Sequence, residues 1–532
     1  MNLEKNIIQR VALGDIIRRT ARKYPDKVAL IERIGNKRKS ITYQALNQLT
    51  NKFAHAIRKM GLIKGDRVAT ICANSLDFVI SIFGLYKAGI TWVPINPGIS
   101  VQDMIYILEQ TGAQTLIIDK EFYEVFYDQI KKSVNLNQVI LLSEENDILD
   151  DNVVCFDKFL KEFPDYDIED IEIWERDICQ IMYTSGTTAR PKGALISHLA
   201  VFIASLNNII EVEIFHDSVL SCILPLFHCA QHTFTTSAFQ IGATVVILRG
   251  IDVDLLLEAI DNEKITWLFA LPVVYRQLLD HPKRSNYDLS SLKYCLYAMT
   301  PMDKRTLSRL IEELGVKAAL GTGQTEAYPS TNNFKPKWQL LKEGNYWGES
   351  ATTVETAIMD DFGNLLPPGE IGEIVWRGPI IMEGYLNNEE ATKESRKYGW
   401  HHSGDLGYFD EDGLLVFVDR KKDMIKTGGE NVPSIKVEQV ILEDPRIAEC
   451  AVVGLSHPKW IEAVTAFVVP KENADISEQD VIELCKKKLG KFEVPKTVVF
   501  VNELPKTRTG KIQKYILKDN YKTLYTKDLH TK

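Results

Sequence analysis

Short apolar, β-branched runs alternate with amphipathic stretches over most of the chain. One amphipathic stretch, residues 43–61, has apolar residues at helical spacing and reaches Gly61, a typical helix stop. The apolar runs have the length of buried strands, and they are RVATICA (67–73), TLIID (115–119), QVILL (138–142), ATVVIL (243–248) and TWLFAL (266–271). This alternation predicts parallel sheets covered by helices, which is a layered α/β fold.

The pattern changes past residue 350. Residues 369–378 and 412–420 are typical of antiparallel strands, and the last part of the chain, about 110 residues, has the usual size of a small domain. In this part the pattern predicts helices at 436–445 and 477–490 and strands at 448–455, 463–470 and 497–501. We therefore expect an α/β protein with a large N-terminal domain of layered α/β sheets plus a β-rich subdomain, residues 1–420, and a small α+β C-terminal domain, residues 421–532.

Composition and charge narrow the class of protein. The 532 residues are 45% hydrophobic and 25% charged, which is typical of a globular protein. A formal charge of −9 argues against nucleic acid as a partner. No apolar run approaches the ~18 residues of a membrane span, and the N-terminus, which carries Glu4, does not resemble a signal peptide. The eight cysteines have no C-x-x-C spacing, so we expect reduced, buried thiols and a cytoplasmic protein.

The segment QIMYTSGTTARPKGALISH (180–198) carries the sharpest chemical signal. A strand leads into a loop of Ser, Thr and Gly, whose backbone N–H groups and hydroxyls can surround phosphate oxygens, and a lysine adds a positive charge. It is not a Walker A loop, because no Ser or Thr follows the lysine directly; a flexible surface loop is the alternative. The candidate phosphate-binding residues are Thr184, Ser185, Gly186, Thr187, Thr188 and Lys192.

YTSGTTARPKGA resembles the phosphate loop of the adenylate-forming superfamily, which includes acyl- and aryl-CoA synthetases, adenylation domains and firefly luciferase. Further motifs of this superfamily follow in order at 224–228, 322–326, 372–392, 400–407, 419–432 and 505–511. The resemblance is to the acyl-CoA synthetase, or AMP-dependent synthetase and ligase, family. It implies that a carboxylic acid is joined to AMP at the expense of ATP with Mg²⁺, and that coenzyme A then takes the acyl group.

The resemblance also implies roles for single residues in adenylation. Glu326 would hold Mg²⁺, and Lys511 would reach the carboxylate and the α-phosphate. The other implied ATP contacts are Gly321 and Thr322 near adenine, Thr325 on phosphate, and Asp405 and Arg420 on the ribose. Taken alone, Thr325–Glu326 could be a helix cap, and the C-terminal lysines could be solvated residues without a function.

The second half-reaction explains the C-terminal domain in such enzymes. The resemblance implies that this domain rotates about a hinge at Lys422. The rotation would withdraw Lys511 and bring in a loop with Lys426, Gly428 and Gly429, where glycines let the backbone approach the pantetheine of coenzyme A. A tight turn is the simpler explanation of the two glycines, and it is compatible with this role.

His228, in LPLFHCAQ, bears on the substrate and resembles the aromatic gate of acyl- and aryl-CoA ligases. Relatives that activate amino acids have aspartate here, so an α-amino acid is disfavoured. We expect a medium- or long-chain fatty acid, with an aryl or a carnitine-type acid as alternatives. A carrier protein in place of free coenzyme A, a non-catalytic nucleotide-binding scaffold and a homodimer are further alternatives.

Two positions depart from the superfamily pattern. The third glycine of the phosphate loop is Ala189, and Thr322 stands where an aromatic ring commonly stacks on adenine. We expect adenine to be held loosely on that face.

Overall fold

Several helices begin and end at residue types that favour such ends. A computed structural model describes residues 3–143, 151–184, 190–298, 302–506 and 512–525. In it, Ser100 accepts a hydrogen bond from the Asp103 N–H at the start of one helix, and Gly112, with a φ of +64°, ends that helix. The helix predicted at 43–61 is capped by Thr42 and spans Tyr43–Lys59.

The helices are α1 Leu3–Gln9, α2 Gly14–Lys23, α3 Tyr43–Lys59, α4 Leu76–Lys87, α5 Val101–Thr111, α6 Lys120–Ile130, α7 Phe156–Leu160, α8 His198–Glu211, α9 Cys229–Ile241, α10 Val253–Glu263, α11 Pro272–Asp280, α12 Lys304–Leu314, α13 Glu389–Glu394, α14 Ser434–Ile441, α15 Glu478–Lys488 and α16 Lys514–Asn520. The strands are β1 Val28–Ile34, β2 Lys37–Thr42, β3 Arg67–Ile71, β4 Thr91–Pro94, β5 Thr115–Asp119, β6 Gln138–Leu142, β7 Val153–Cys155, β8 Ile178–Thr184, β9 Lys192–Ser197, β10 Val219–Cys222, β11 Thr244–Leu248, β12 Trp267–Ala270, β13 Tyr294–Tyr297, β14 Lys317–Thr322, β15 Asn332–Phe334, β16 Tyr346–Ser350, β17 Glu355–Met359, β18 Gly372–Arg377, β19 Gly384–Tyr385, β20 His401–Phe409, β21 Leu415–Arg420, β22 Ile425–Thr427, β23 Glu430–Val432, β24 Ile447–His457, β25 Ile461–Pro470 and β26 Thr497–Phe500.

The chain forms two compact units. The first unit comprises residues 1–356 and 376–401 and contains two sheets. One sheet has the strand order β19-β9-β8-β4-β3-β5-β6-β7, and the other includes the order β16-β15-β14-β13-β12-β10-β11-β1-β2. The five predicted buried strands are confirmed as β3, β5, β6, β11 and β12, and their pairings within these sheets are parallel. Helices α5 and α6 pack their apolar residues on one sheet.

The second unit comprises residues 357–375 and 402–532. Strands β17, β18, β20 and β21 lie side by side in that order, and a second sheet has the order β23-β22-β25-β24 with β26 beside β25. Helices α14 and α15 cover the second sheet and close a core around Val452 and Val464. The predicted α/β class, with a large N-terminal and a smaller C-terminal part, is confirmed.

The predicted domain boundary after residue 420 separates a fixed from a moving segment. The division into compact units does not test such movement, so the boundary stays a prediction. All eight cysteines are buried, as expected, and none of them forms a disulfide bond. No helix within the described ranges is both long and apolar enough to span a bilayer.

Candidate active site

The predicted phosphate loop connects two antiparallel strands of the first unit. Thr184, the last residue of β8, is paired with Lys192, the first residue of β9. The Thr184 hydroxyl donates to the Lys192 carbonyl at 3.5 Å. Both side chains are partly exposed. Ser185, Gly186, Thr187 and Thr188, together with Ala189, lie outside the described residues.

The Lys192 side chain lies on an aromatic ring. Its ammonium nitrogen is 4.6 Å from the centroid of the Tyr385 ring, a distance typical of a cation–π contact. The contact follows from the sheet, because β19 pairs with β9 and places Tyr385 opposite Ala194.

The same tyrosine holds the predicted metal ligand. The Tyr385 hydroxyl donates to Oε1 of Glu326 at 3.0 Å. Burial raises the pKa of Tyr385, and the nearby Glu326 carboxylate raises it further. The phenol therefore keeps the proton that it donates. The Glu326 carbonyl accepts from the Met382 N–H at 2.9 Å, which fixes the backbone at this point. Tyr385 therefore contacts both Lys192, of the predicted phosphate loop, and Glu326.

Tyr385 did not emerge from the sequence as a site residue. It lies in the motif at 372–392, which resembles a superfamily motif, but its contacts depend on the pairing of β19 with β9. An aromatic residue within an already recognised motif was the only sequence signal for it.

Thr325 and His228 both contact Cys229. The Cys229 sulfur is 3.6 Å from Oγ1 of Thr325 and 3.6 Å from Nδ1 of His228. The imidazole Nδ1 of His228 also accepts from the Ala230 N–H at 3.3 Å and so caps the N-terminus of α9, while the side chain stays exposed. The motifs at 224–228 and 322–326 thus meet in the first unit.

Gly321 and Thr322 form the end of β14. The Thr322 hydroxyl donates to the Asn332 carbonyl at 3.2 Å, so this side chain is tied to the neighbouring strand β15. Gly321 is buried, and a Cβ there would lie 3.6 Å from Leu296 and from the Ser330 hydroxyl, which is ordinary contact.

A buried polar network supports these motifs. Nδ1 of His232 is 2.9 Å from the Tyr328 hydroxyl, and Nε2 is 3.0 Å from the Tyr86 hydroxyl. Gln180 of β8 donates to the Tyr86 hydroxyl at 2.6 Å. Burial lowers the pKa of His232 to about 3, so its ring is neutral at pH 7. The network connects α9 with the strand before Thr184 and with the segment after Glu326, and sequence reasoning missed it.

In the second unit, Asp405 and Arg420 occupy directly paired positions on β20 and β21. Asp405 is buried, and its N–H donates to the Ser403 hydroxyl at 3.0 Å. The predicted ribose contacts are therefore neighbours across one antiparallel pair.

A glutamate anchors the backbone beside these two residues. Glu373 accepts from the Gly404 N–H at 3.0 Å and from the Lys421 ammonium at 3.0 Å, and His402 is 3.1 Å away. Burial raises the pKa of Glu373, but these partners outweigh it and lower the pKa to about 2.

The predicted hinge residue, Lys422, comes shortly after Arg420 in the chain. Lys422 is exposed, and the N–H groups of Asp423 and Met424 donate to the Arg420 carbonyl, so the chain turns at this point. Lys511 lies outside the described residues.

The segment predicted to contact coenzyme A is a hairpin. Lys426 on β22 is exposed and pairs with Asn431 on β23. Gly428 and Gly429, which connect the strands, have φ values of +60° and +93°, which L side chains rarely adopt. The tight turn expected as the simpler explanation is present, and the role in binding stays a prediction.

The fold and the motifs define the class of adenylate-forming enzymes, and two family models agree with that class. Residues 17–386 match the model described as AMP-binding enzyme, and residues 436–511 match its C-terminal domain. The chain belongs to the AMP-binding enzyme family.

Curated relatives share this family over nearly their whole lengths. Feruloyl-CoA synthase of Amycolatopsis sp is 32% identical, over 89% of this chain and 93% of that protein. 4-Hydroxybutyrate–CoA ligase 2 of Metallosphaera sedula is 32% identical, over 96% and 95%. Crotonobetaine/carnitine–CoA ligase of Escherichia coli is 30% identical, over 93% and 96%. The chain is thus an AMP-forming acid–CoA ligase, with ATP and coenzyme A as co-substrates.

Solved structures have the same fold. ATP-bound MatB from Rhodopseudomonas palustris has a TM-score of 0.85 at 26% identity, over 96% of this chain and 100% of that one. Mycobacterium tuberculosis fatty acyl CoA synthetase has a TM-score of 0.78 at 28% identity, over 97% and 99%.

Proposed function

We propose that this enzyme activates an apolar carboxylic acid, with a medium- or long-chain fatty acid as the first candidate, and transfers the acyl group to free coenzyme A. The observation that carries the site assignment is the Lys192–Tyr385–Glu326 arrangement beside the predicted phosphate loop. His228 stands where relatives that activate amino acids have aspartate. This argues against an α-amino acid as the substrate, because the position offers no carboxylate to pair with the ammonium group.

The Glu326 carboxylate is a suitable ligand for Mg²⁺. The Tyr385 hydroxyl binds Oε1 of the carboxylate, and Mg²⁺ prefers one or two carboxylates together with phosphate oxygens and water. Among the described residues, no group of three or more His, Cys, Asp or Glu side chains forms a metal cage, which agrees with that mode of binding. When bound, the ion would neutralise phosphate charge.

The residues have distinct parts in the two half-reactions. In the first, a carboxylate oxygen forms a bond to the α-phosphorus of ATP, and the bond to pyrophosphate breaks. Lys192 and Lys511 would stabilise the charge on the phosphoryl oxygens, and Asp405 and Arg420 would hold the ribose. In the second, the thiol sulfur of coenzyme A bonds to the acyl carbon, AMP leaves, and the thiol proton passes to solvent.

The C-terminal domain would serve both steps. Rotation about Lys422 would exchange Lys511 for the hairpin with Lys426, Gly428 and Gly429. Lys511→Ala should therefore lower the adenylation rate about 10²–10³-fold while thioester formation from supplied acyl-adenylate largely survives. An equal fall in both half-reactions would contradict domain alternation in this protein.

Pyrophosphate release across a panel of acids tests the substrate. Fatty, aryl and short hydroxy or carnitine-type acids should be compared with ATP, Mg²⁺ and free coenzyme A, with separate detection of acyl-AMP and thioester. We expect the highest kcat/KM with a fatty acid. Acyl-AMP without thioester would indicate a carrier protein as the acceptor, and no acyl-AMP with any acid would contradict the proposal.

An aryl or short acid is the second candidate. It is favoured by the names of the three relatives above, which refer to feruloyl, 4-hydroxybutyrate and crotonobetaine or carnitine substrates. The same panel separates the two candidates. A homodimer and a cytoplasmic location stay predictions.

A further inference from the structure

A tyrosine ring lies between two oppositely charged side chains of the candidate site. The Lys192 ammonium lies 4.6 Å from the Tyr385 ring centroid, and the Tyr385 hydroxyl is 3.0 Å from Glu326 Oε1. The backbone of Tyr385 is held in place, because β19 pairs with β9 and the Tyr385 N–H donates to the Thr392 hydroxyl at 2.9 Å.

Opposite charges that come within about 4 Å of each other form an ion pair. Within the described part of the chain, Lys192 has no carboxylate at that distance, and Glu326 has no ammonium or guanidinium partner. Tyr385 contacts both groups without neutralising either, because a phenol is uncharged: its π face attracts the ammonium and its hydroxyl donates to the carboxylate.

We propose that Tyr385 is a positioning residue that prevents Lys192 and Glu326 from pairing with each other, so that the lysine stays available to phosphate and the carboxylate to a divalent cation. The inference rests on the proposed function, since it assigns those two ligands to Lys192 and Glu326. It adds a residue whose side chain acts through its two neighbours and does not itself contact the reacting atoms.

Two substitutions separate the ring from the hydroxyl. Tyr385→Phe keeps the ring under Lys192 and removes the bond to Glu326. The ATP affinity of this variant without metal should stay within twofold of wild type. The Mg²⁺ concentration that gives half of the Mg²⁺-dependent gain in ATP binding should rise about threefold or more. Tyr385→Leu removes both contacts and lets Lys192 reach Glu326, so metal-free ATP binding should weaken about tenfold. Calorimetric titration of ATP, in EDTA and at stepped Mg²⁺ concentrations, measures both effects.

A rescue experiment distinguishes this role from simple damage to the fold. Because Glu326→Gln removes the charge that Lys192 would pair with, Y385L/E326Q should bind metal-free ATP as tightly as E326Q alone, within about twofold. Tyr24→Leu is the matched control, since the Tyr24 ring also lies near lysine ammonium groups, at 5.0 Å and 5.7 Å, outside the site.

The possible outcomes are distinct. Metal-free ATP binding by Y385L that equals wild type, or that E326Q fails to restore, overturns the inference. Wild-type protein that binds no ATP overturns the proposed function, and the inference with it. Should Y385L lose its cooperative thermal unfolding, the Mg²⁺ dependence of Y385F decides: an unchanged dependence overturns the inference.

Discussion

One lysine and one glutamate are arranged differently in a cluster of each unit. In the first unit, Lys192 and Glu326 are both partly exposed and are held by one tyrosine. In the second unit, Lys514 is 2.8 Å from Glu438, and the two side chains are only 13% and 14% exposed. The difference agrees with the proposal that Lys192 and Glu326 are kept from each other so that each can bind a ligand, whereas Lys514 and Glu438 pair with each other and hold the fold together.

The pair in the second unit belongs to a larger cluster. The Lys514 ammonium donates to the Ser434 hydroxyl at 2.6 Å, and that hydroxyl donates to Asp419 at 2.7 Å. Burial lowers the pKa of Lys514, but Glu438 and Asp419 outweigh it and raise the pKa, so the lysine stays charged at pH 7. The cluster ties together α16, α14 and β21.

The largest effect on stability is expected when the partly buried ion pair between Lys514 and Glu438 is broken. Lys514→Met leaves Glu438 and Asp419 without their cation and should lower the free energy of unfolding by about 3–5 kcal/mol. Urea unfolding measures the loss. Lys522→Met, an exposed lysine shortly after the same helix, is the control and should change stability by less than about 0.5 kcal/mol. Equal stability of the two variants would remove the contrast between the units.

Lys192→Met should have the reverse effect of Lys514→Met, with a loss of activity and little change in stability. We expect the adenylation rate to fall about 10²–10³-fold, because a charge that stabilises the phosphoryl oxygens is lost. The free energy of unfolding should stay within about 0.5 kcal/mol, because no carboxylate in the described residues depends on this lysine. Pyrophosphate release and urea unfolding test the two parts. Lys23→Met, which removes an ammonium near the Tyr24 ring, is the control and should change neither.

Thr322 is an intermediate case, since it is a predicted site residue with a structural partner. Thr322→Tyr loses the bond to the Asn332 carbonyl, at a cost of about 0.5–1.5 kcal/mol in stability. It should tighten ATP binding by about 1–3 kcal/mol, because a ring can stack on adenine. Calorimetric titration with ATP checks this. Unchanged or weaker affinity would contradict the placement of Thr322 beside adenine.

The smallest effect concerns Glu373 and pH. Its pKa is lowered from 4.5 to about 2, so the folded state binds the proton less tightly than the unfolded state does. The stabilisation is therefore complete above about pH 4.5 and is lost as the pH falls through about 2. Glu373→Gln should reduce stability at pH 7 by about 1 kcal/mol and should flatten its decline between pH 5 and 2. Unfolding at several pH values, with exposed Glu370→Gln as the control, measures this. A decline as steep as that of wild type would contradict the assignment.

Local pattern was sufficient for the five predicted buried strands and for the order of the motifs. Residues 115–119 and 138–142 match β5 and β6 residue for residue, because a buried parallel strand is apolar on both faces and stands out from its polar surroundings. Five C-terminal elements were predicted in the right order, with ends shifted by a few residues, and they are α14, β24, β25, α15 and β26. The short strands β22 and β23 and the helix α16 were not predicted. End positions shift because hydrogen bonding in the folded chain, rather than hydropathy, decides where an element stops.

The contacts of single side chains could not be predicted in the same way. Tyr385 and His232 have ordinary neighbours in sequence, and nothing local distinguishes them from other buried or half-buried aromatic residues. Their partners come from segments far apart along the chain, Lys192 and Glu326 for one, and Tyr86 and Tyr328 for the other.

The sequence by itself determined the family, the layered α/β architecture and the chemical groups available for adenylation, because periodicity and motif order are properties of neighbouring residues. Only the tertiary structure decided that Tyr385 lies between Lys192 and Glu326 and that Lys514 pairs with Glu438 where both are partly buried. The physical reason is that long-range strand pairing and burial set the distance between charges. That distance determines whether a lysine and a glutamate pair with each other or remain available to a ligand.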